Sequence, residues 1–587
     1  MAPDGEQKPS PTTDGAAPPE AAMSPDLRHL SEADTREVPA LKDEWRQRAA
    51  EAASAIEGTS ATIDASGDAF DGVDEAPAPA KTEPSPSDTL PDAEASIYGG
   101  ANEQLARAML ELARRAQEGW RALRFEQRLP CFDALRADLV RHRDDHLAQA
   151  SGAAGRPTLE CLALEYLPVL DALWALPDVV PPLLVERQVT SRMPVLSHST
   201  VRLSPQPHGV VMLIAPARPV FGPVMSFVLD ALATGNAAIV VVDEERLRAL
   251  ELIQRLFDRA KFPRGLVQLI AGGRSTMRNL IDAGPERVFF AGNADALKDI
   301  AVQTAQKGVN LVSALRGKNI LALMDNADPA LAAQAACWAA FSGGGYYGGT
   351  AERIIVHHGI YDEFRMRFFE AVRIMNSHHA QLARVHAEEE DLRLKEVLLD
   401  AMAHGARVSY PAGDHPGKFV HWRPAIVENV ADRLRLSTEP LHAPAAAMYR
   451  TENVADETAR LARICPAGVI NVLGRPDAAT QAAFERCGAP VVSFNDPQVR
   501  PLTWQGGNVC GGGLAYSQSG PSYMLALREV VESEPGSRAW WYPYADEKLR
   551  AFMLGMPGWY ATERMERARG VIALALRPIL RNALKEQ

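Results

Sequence analysis

The stretch PHGVVMLIAPARPVFGPVMSFVLDALATGNAAIVVV, residues 207–242, sets two apolar runs of strand length on either side of an apolar helical segment. GVVMLIAP (209–216) and NAAIVVV (236–242) lack the polar–apolar alternation of a strand with one wet face, so both read as strands buried on two sides. MSFVLDALATG (225–235) between them reads as a helix closed by Gly235. Strand, helix and strand in direct succession make a βαβ unit.

The same rhythm continues downstream. EERLRALELIQRLFDRAKF (244–262) is the next helix, and LVQLIAG (266–272), RVFFAGN (287–293) and VNLVSAL (309–315) are further strands. Such alternation predicts a doubly wound α/β sheet. Upstream, residues 102–123 and 128–149 space Leu, Ala and Val as helices do. A second mixed region runs from about 320 to 500, punctuated by DNADP, HHGIYDEF, YPAGDHPGKF and NDPQ.

Residues 1–97 differ in kind. They are rich in Pro, Ala, Ser, Asp and Glu, and segments such as EAPAPAKTEPSPSDTLPDAEAS bury too little apolar surface to offset their ordering entropy. Seven basic against 21 acidic residues give this tail −14, so the rest of a chain of net −12 is near +2. That balance argues against general nucleic-acid binding, which needs a strong basic footprint. Within the tail, Val38, Leu41, Trp45, Ala49, Ala52 and Ile56 fall on one face of a helix over 38–57, with the pattern of a tethered docking peptide. At the other end, residues 561–585 form a basic amphipathic helix carrying Arg564, Arg567, Arg569, Arg577 and Arg581. This helix suits a partner or a membrane surface, and equally suits packing on its own domain.

No run of about 18 apolar residues is read, so no spanning helix is expected. The acidic, polar N-terminus predicts no secretory leader. The six cysteines, Cys131, Cys161, Cys337, Cys465, Cys487 and Cys510, form no CxxC pair and no ligand cluster. A reducing cytoplasm is the expected compartment, and no metal site is predicted.

The ordered set PHGVVMLIAPARPV, LATGNAAIVV, FPRGLVQLIAGG, RVFFAGN, LRGKNILALMDNADPALAAQA and RIIVHHGIYDEF resembles the aldehyde dehydrogenase superfamily over roughly residues 100–535. The resemblance implies a Rossmann-like cofactor domain (98–318), an α/β catalytic domain (319–500) and a β-arm that builds oligomers. The arm would be 183–203, joined by an oligomerisation segment at 501–535; beyond the resemblance, residues 536–587 read from their own pattern as a basic amphipathic helical extension. It also implies a thiol nucleophile, an oxyanion-binding Asn, a Glu that activates water, and NAD or NADP as hydride acceptor.

The family's nucleophile loop reads roughly F-x-N-x-G-Q-x-C, with an Arg five residues beyond the Cys. Here FSGGGYYGGTAERIIV (341–356) keeps Phe341, Gly345 and Arg353, but Gly343 stands for the Asn, Tyr346 for the Gln and Gly348 for the Cys. Residues 338–353 contain no Cys. Ala314 takes the place of the base in ALRGK, and Arg218 that of the oxyanion Asn in PARPV. Val241 replaces the Lys that holds the adenosine ribose, Pro440 replaces the Glu that holds the nicotinamide ribose, and His442 replaces a Phe. Gly292, Asn293 and Glu244 are the remaining cofactor-side candidates.

Three functions follow as expectations. The first is a pseudoenzyme that assembles as a homo-oligomer and binds partners through 38–57 or 561–585. The second is an oxidoreductase with relocated groups, its thiol supplied by Cys510 in a glycine-rich loop, while Cys337 is expected in the core. The third is a small-ligand sensor in which Tyr346 and Tyr347 cap a carbonyl or planar compound, an alternative to their filling a disused tunnel.

Overall fold

The computed structural model describes residues 100–189, 199–215, 220–292, 294–315, 317–379, 388–410, 424–497 and 520–533, together with 544, 547, 550, 553 and 554. The expected helices at 38–57 and 561–585, and Arg218, Asn293 and Cys510, lie outside the described residues.

The described chain opens with α1 (Glu103–Ala122), α2 (Phe125–Arg141) and α3 (Arg143–Ala154). The sequence pattern over 128–149 reads as one unbroken helix, but the backbone leaves helical geometry at His142 (φ −110°, ψ 31°), which separates α2 from α3. A long helical run follows, α4 (Thr158–Leu184), with one π-turn at Leu162–Tyr166. Contrary to the expectation from sequence, α4 is long and apolar enough to cross a membrane by length and composition. Its charged residues Glu160, Glu165, Asp171 and Asp178 break up the run to the eye without abolishing its mean hydropathy. Tyr166, Val169, Leu173 and Leu176 face the core, while Leu159, Leu167 and Trp174 stay exposed.

β1 (Arg187–Val189) and β2 (Ser199–Pro207) start a small antiparallel sheet. Then β3 (Val210–Ile214), α5 (Phe221–Ala233), β4 (Ala237–Val242), α6 (Leu247–Arg259), β5 (Val267–Ala271), α7 (Arg274–Ala283), β6 (Arg287–Gly292), α8 (Ala294–Lys307) and β7 (Asn310–Leu315) alternate without interruption. Their five strands form a wholly parallel sheet of order β5-β4-β3-β6-β7. The order reverses between β3 and β6, and ligands of doubly wound sheets bind beyond the strand C-termini at such a point. Every residue of α5 is buried, which explains its apolar character on all faces. Its C-terminal carbonyls are capped from α1 and α2: Trp120 Nε1 donates to Leu232 O (2.8 Å), Arg128 Nη1 to Ala233 O (3.1 Å), and Gln117 Nε2 to Gly235 O (2.9 Å).

The second sheet is built from β8 (Asn319–Leu323), α9 (Pro329–Phe341), β9 (Ala351–His357), α10 (Tyr361–His379), α11 (Glu388–Ala403), β10 (Arg407–Ser409), β11 (Ala425–Glu428), β12 (Ala445–Thr451), α12 (Val454–Ile464), β13 (Val469–Leu473), α13 (Ala478–Glu485) and β14 (Val491–Phe494). Its order is β10-β11-β12-β9-β8-β13-β14, parallel except at the edge pair β10–β11. Finally β15 (Leu525–Ser533) pairs antiparallel with the whole of β2, from Leu525–Pro207 to Ser533–Ser199. The chain is thus an α/β protein with two mainly parallel sheets and an antiparallel arm.

Candidate functional site

The loop 342–350 leaves α9 and enters β9 at the heart of the second sheet. Three consecutive glycines, Gly343 (φ 60°), Gly344 (φ 69°) and Gly345 (φ 79°), turn it through the left-handed region that side chains disfavour. Two of them are also held by contact. A Cβ on Gly345 would lie 2.4 Å from Ala443 O, and one on Gly343 would lie 2.1 Å from the Tyr347 ring. The Tyr347 ring therefore fills the space that a side chain at 343 would use.

Tyr347 is 2% exposed, and its polar end is satisfied internally. Its hydroxyl donates to Glu165 Oε1 at 2.9 Å, and Gly222 N–H donates to the other oxygen of that carboxylate, also at 2.9 Å. The Arg156 guanidinium lies 3.5 Å from Glu165 Oε1, with its carbon 5.0 Å from the centre of the Tyr347 ring and 5.9 Å from that of Tyr346. Glu160 accepts from Gly343 N–H at 2.8 Å. Burial disfavours the Arg156 cation, but Tyr347, Glu165 and Glu160 outweigh it and raise its pKa. Burial, reinforced by Glu165, pushes the Tyr347 phenol well above its usual range, so it stays protonated and keeps donating.

The rest of the loop is pinned from below. Asn319 Nδ2 donates to Gly348 O (2.6 Å) and Thr350 O (3.1 Å), while its Oδ1 accepts from Gly468 and Val469 N–H, both at 2.9 Å. Gly348 itself is buried. Arg353 is fully buried and donates to the carbonyls of Lys318, Leu461 and Cys465. The Lys318–Glu352 ion pair (2.6 Å) ties the same region to the segment bearing Pro440 and His442. Lys318 Nζ donates to Glu439 O (2.8 Å), and Glu352 accepts from Leu441 N–H (3.0 Å). His442 takes a left-handed backbone (φ 52°).

On the first sheet, register places Gly292 opposite Leu315 and Ala291 opposite Ala314, so the pyrophosphate-side and base-side candidates sit on adjoining strand ends. Val241 is fully buried, paired with Ile214 and Ile270, and Glu244 is exposed just beyond β4. Cys337 is a core residue, 5% exposed, its Sγ 3.2 Å from Met375 Sδ and its thiol pushed up to about 12 by burial. Burial likewise raises Cys131, Cys161, Cys465 and Cys487, so the described thiols are all held in the weakly nucleophilic form.

Residues 86–525 match the sequence profile of the aldehyde dehydrogenase family, three quarters of the chain. The chain belongs to the aldehyde dehydrogenase family. Among curated relatives, a 4,4'-diapolycopene aldehyde oxidase of Methylomonas is 28% identical over 310 residues, which cover 52% of this chain and 58% of that protein. A 2,5-dioxopentanoate dehydrogenase of Saccharolobus solfataricus is 26% identical over 304 residues, covering 50% and 63%. The chain thus spans less than two thirds of these two relatives. Among solved structures, a betaine aldehyde dehydrogenase of Staphylococcus aureus in complex with NAD+ superimposes with a TM-score of 0.65 at 20% identity, covering 75% of this chain and 90% of that one. A lactaldehyde dehydrogenase gives a TM-score of 0.65 at 19% identity, covering 74% and 92%.

Sequence reading missed two things. The contact of Tyr347 with Glu165 spans 182 residues and has no local signature. The other is a side-chain cluster: Asp138, His142 and His146 bring one ligand atom each to within 4.8 Å of one another. Their signal was present as DLVRHRDDH (138–146), a repeat of four on one helical face.

Proposed function

We propose that this aldehyde dehydrogenase family member does not oxidise aldehydes by the thiol mechanism and serves as a non-catalytic subunit of a homo-oligomer. One observation carries the reading: at the loop where the family resemblance puts the nucleophile, Gly348 offers no side chain, and Tyr347, locked by Glu165 and Arg156, fills the space a side chain at Gly343 would use. Ala314 in the base position and Gly343 in the Asn position point the same way. Val241 and Pro440 in place of the two ribose anchors support weak binding of NAD or NADP at most, because each lost partner removes a hydrogen bond to a charged group, about 1.5–3 kcal/mol. The engagement of the Tyr347 hydroxyl with Glu165 favours the filling role over a ligand-capping sensor.

The test is calorimetric titration with NAD and with NADP, run beside NAD(P)H formation from a panel of aldehydes. The expected result is no turnover and no binding tighter than millimolar. A Gly348→Cys chain is expected to stay inactive, since the added thiol still lacks its base at Ala314 and its oxyanion-side Asn at Gly343. Turnover by the natural chain would overturn the proposal, and its loss in Cys510→Ala would assign the reaction to that thiol.

A further inference from the structure

The junction of α2 and α3 faces α6 across a cavity of about 540 Å³ lined by Asp138, His142, Asp145, His146, Arg255 and Arg259, among others. Asp138, His142 and His146 follow one another at steps of four, on a helix face whose backbone breaks at His142. The two imidazoles stand close, with ring centroids 5.8 Å apart and planes at 65°. His142 Nδ1 lies 2.8 Å from Asp138 Oδ1, and His146 Nε2 lies 3.7 Å from Asp138 Oδ2.

The hydrogen bonding inside this cluster is incomplete. The His146 side chain is only 4% exposed, yet its Nδ1 has no hydrogen-bond partner. Asp138 Oδ2 is likewise buried without one, the Arg259 guanidinium standing off at 3.6 Å. Orphaned polar atoms in such a place carry a desolvation penalty, and a cation would relieve it at the carboxylate.

We propose that Asp138, His142 and His146 form a binding site for a divalent transition-metal ion, which clamps the α2–α3 junction beside α6. Two imidazoles and one carboxylate suit Zn2+, whose ligand bonds of about 2.0–2.2 Å set tetrahedral donor atoms roughly 3.3–3.6 Å apart, so the Asp138–His142 contact opens and the wider separations close. Water or Asp145, which lines the same cavity, completes the coordination. Ligation replaces the Asp138–His142 hydrogen bond and displaces Arg259, whose side chain is 53% exposed and has room to swing into solvent. The site is independent of the nucleophile loop.

The test uses the full chain stripped of metal by a chelator and titrated with Zn2+ in a calorimeter, then loaded with Co2+ for absorption spectroscopy. The expected result is one ion per chain, with Co2+ d–d bands and no thiolate charge-transfer band. His142 is 42% exposed, so His142→Ala keeps the fold, and circular dichroism verifies this. Losing one of three ligands should weaken Zn2+ by more than the roughly 10- to 100-fold seen when an outer-shell partner is removed. Failure of the wild-type chain to bind Zn2+, a thiolate band, or equal affinity in His142→Ala would each overturn the proposal.

Discussion

At the scale of single residues, Gly343 and Tyr347 are one decision in two places. With the ring where it stands, a methyl group at 343 lies 2.1 Å from it, and the backbone there is left-handed as well. Gly343→Ala is therefore expected to destabilise the fold by about 3 kcal/mol, part from the clash and about 1–2 kcal/mol from the left-handed conformation. In a Tyr347→Ala background only the conformational part should persist. Chemical denaturation of the two single variants and the double variant measures the difference, and a coupling of about 1 kcal/mol or more is expected for residues in direct contact. Additive effects would show that the ring does not occupy that space. The glycine run was legible in the sequence. The reason for Gly343 was not, because the ring that needs the space is anchored by a carboxylate on α4.

At the scale of elements, Glu428 at the end of β11 joins the sheet to α10. Arg365 donates to it twice (2.8 and 3.0 Å), and Tyr361 donates once (2.8 Å). Burial alone would raise this carboxyl, but the bonds from Arg365 and Tyr361 outweigh burial and hold it below its ordinary value. The folded chain therefore releases this proton more readily than the unfolded chain. The stability it contributes is present above the unfolded value, near pH 4.3, and is lost as pH falls through the folded one. Glu428→Gln is expected to cost about 1–3 kcal/mol at neutral pH and to flatten the fall in stability below about pH 4. Urea denaturation at stepped pH tests this, and parallel curves for wild type and variant would exclude the Glu428 contribution. Elements were also where the sequence read best and worst. β3 and β4 are unbroken apolar runs, and β6 is apolar from Val288 to Ala291, because both faces of these stretches are covered. The break at His142 falls inside a pattern that stays helical on either side, so periodicity alone does not reveal it.

At the scale of the whole molecule, the antiparallel arm stands out. β15 lies at one edge of the sheet β1-β2-β15, and its alternate residues Leu527 (64% exposed) and Val531 (51% exposed) project from one face with Glu529 between them. A sheet edge with exposed aliphatic side chains invites pairing with another chain. The family resemblance reads the same segment as an oligomerisation element, which makes a second copy of this chain the expected partner. Sedimentation velocity is predicted to find at least a dimer at micromolar concentration. Replacing Leu527 and Val531 together by Asp would bury two unpaired charges in such an interface. That should cost about 2 kcal/mol or more of association, a rise in dissociation constant of roughly thirtyfold. The single chain should remain folded, because both side chains already face solvent within it. A monomeric wild-type chain, or a dimer indifferent to both substitutions, would move the interface away from the arm. Such an outcome would also weaken the proposed role as a non-catalytic subunit, since that role needs an assembly while the blocked loop does not.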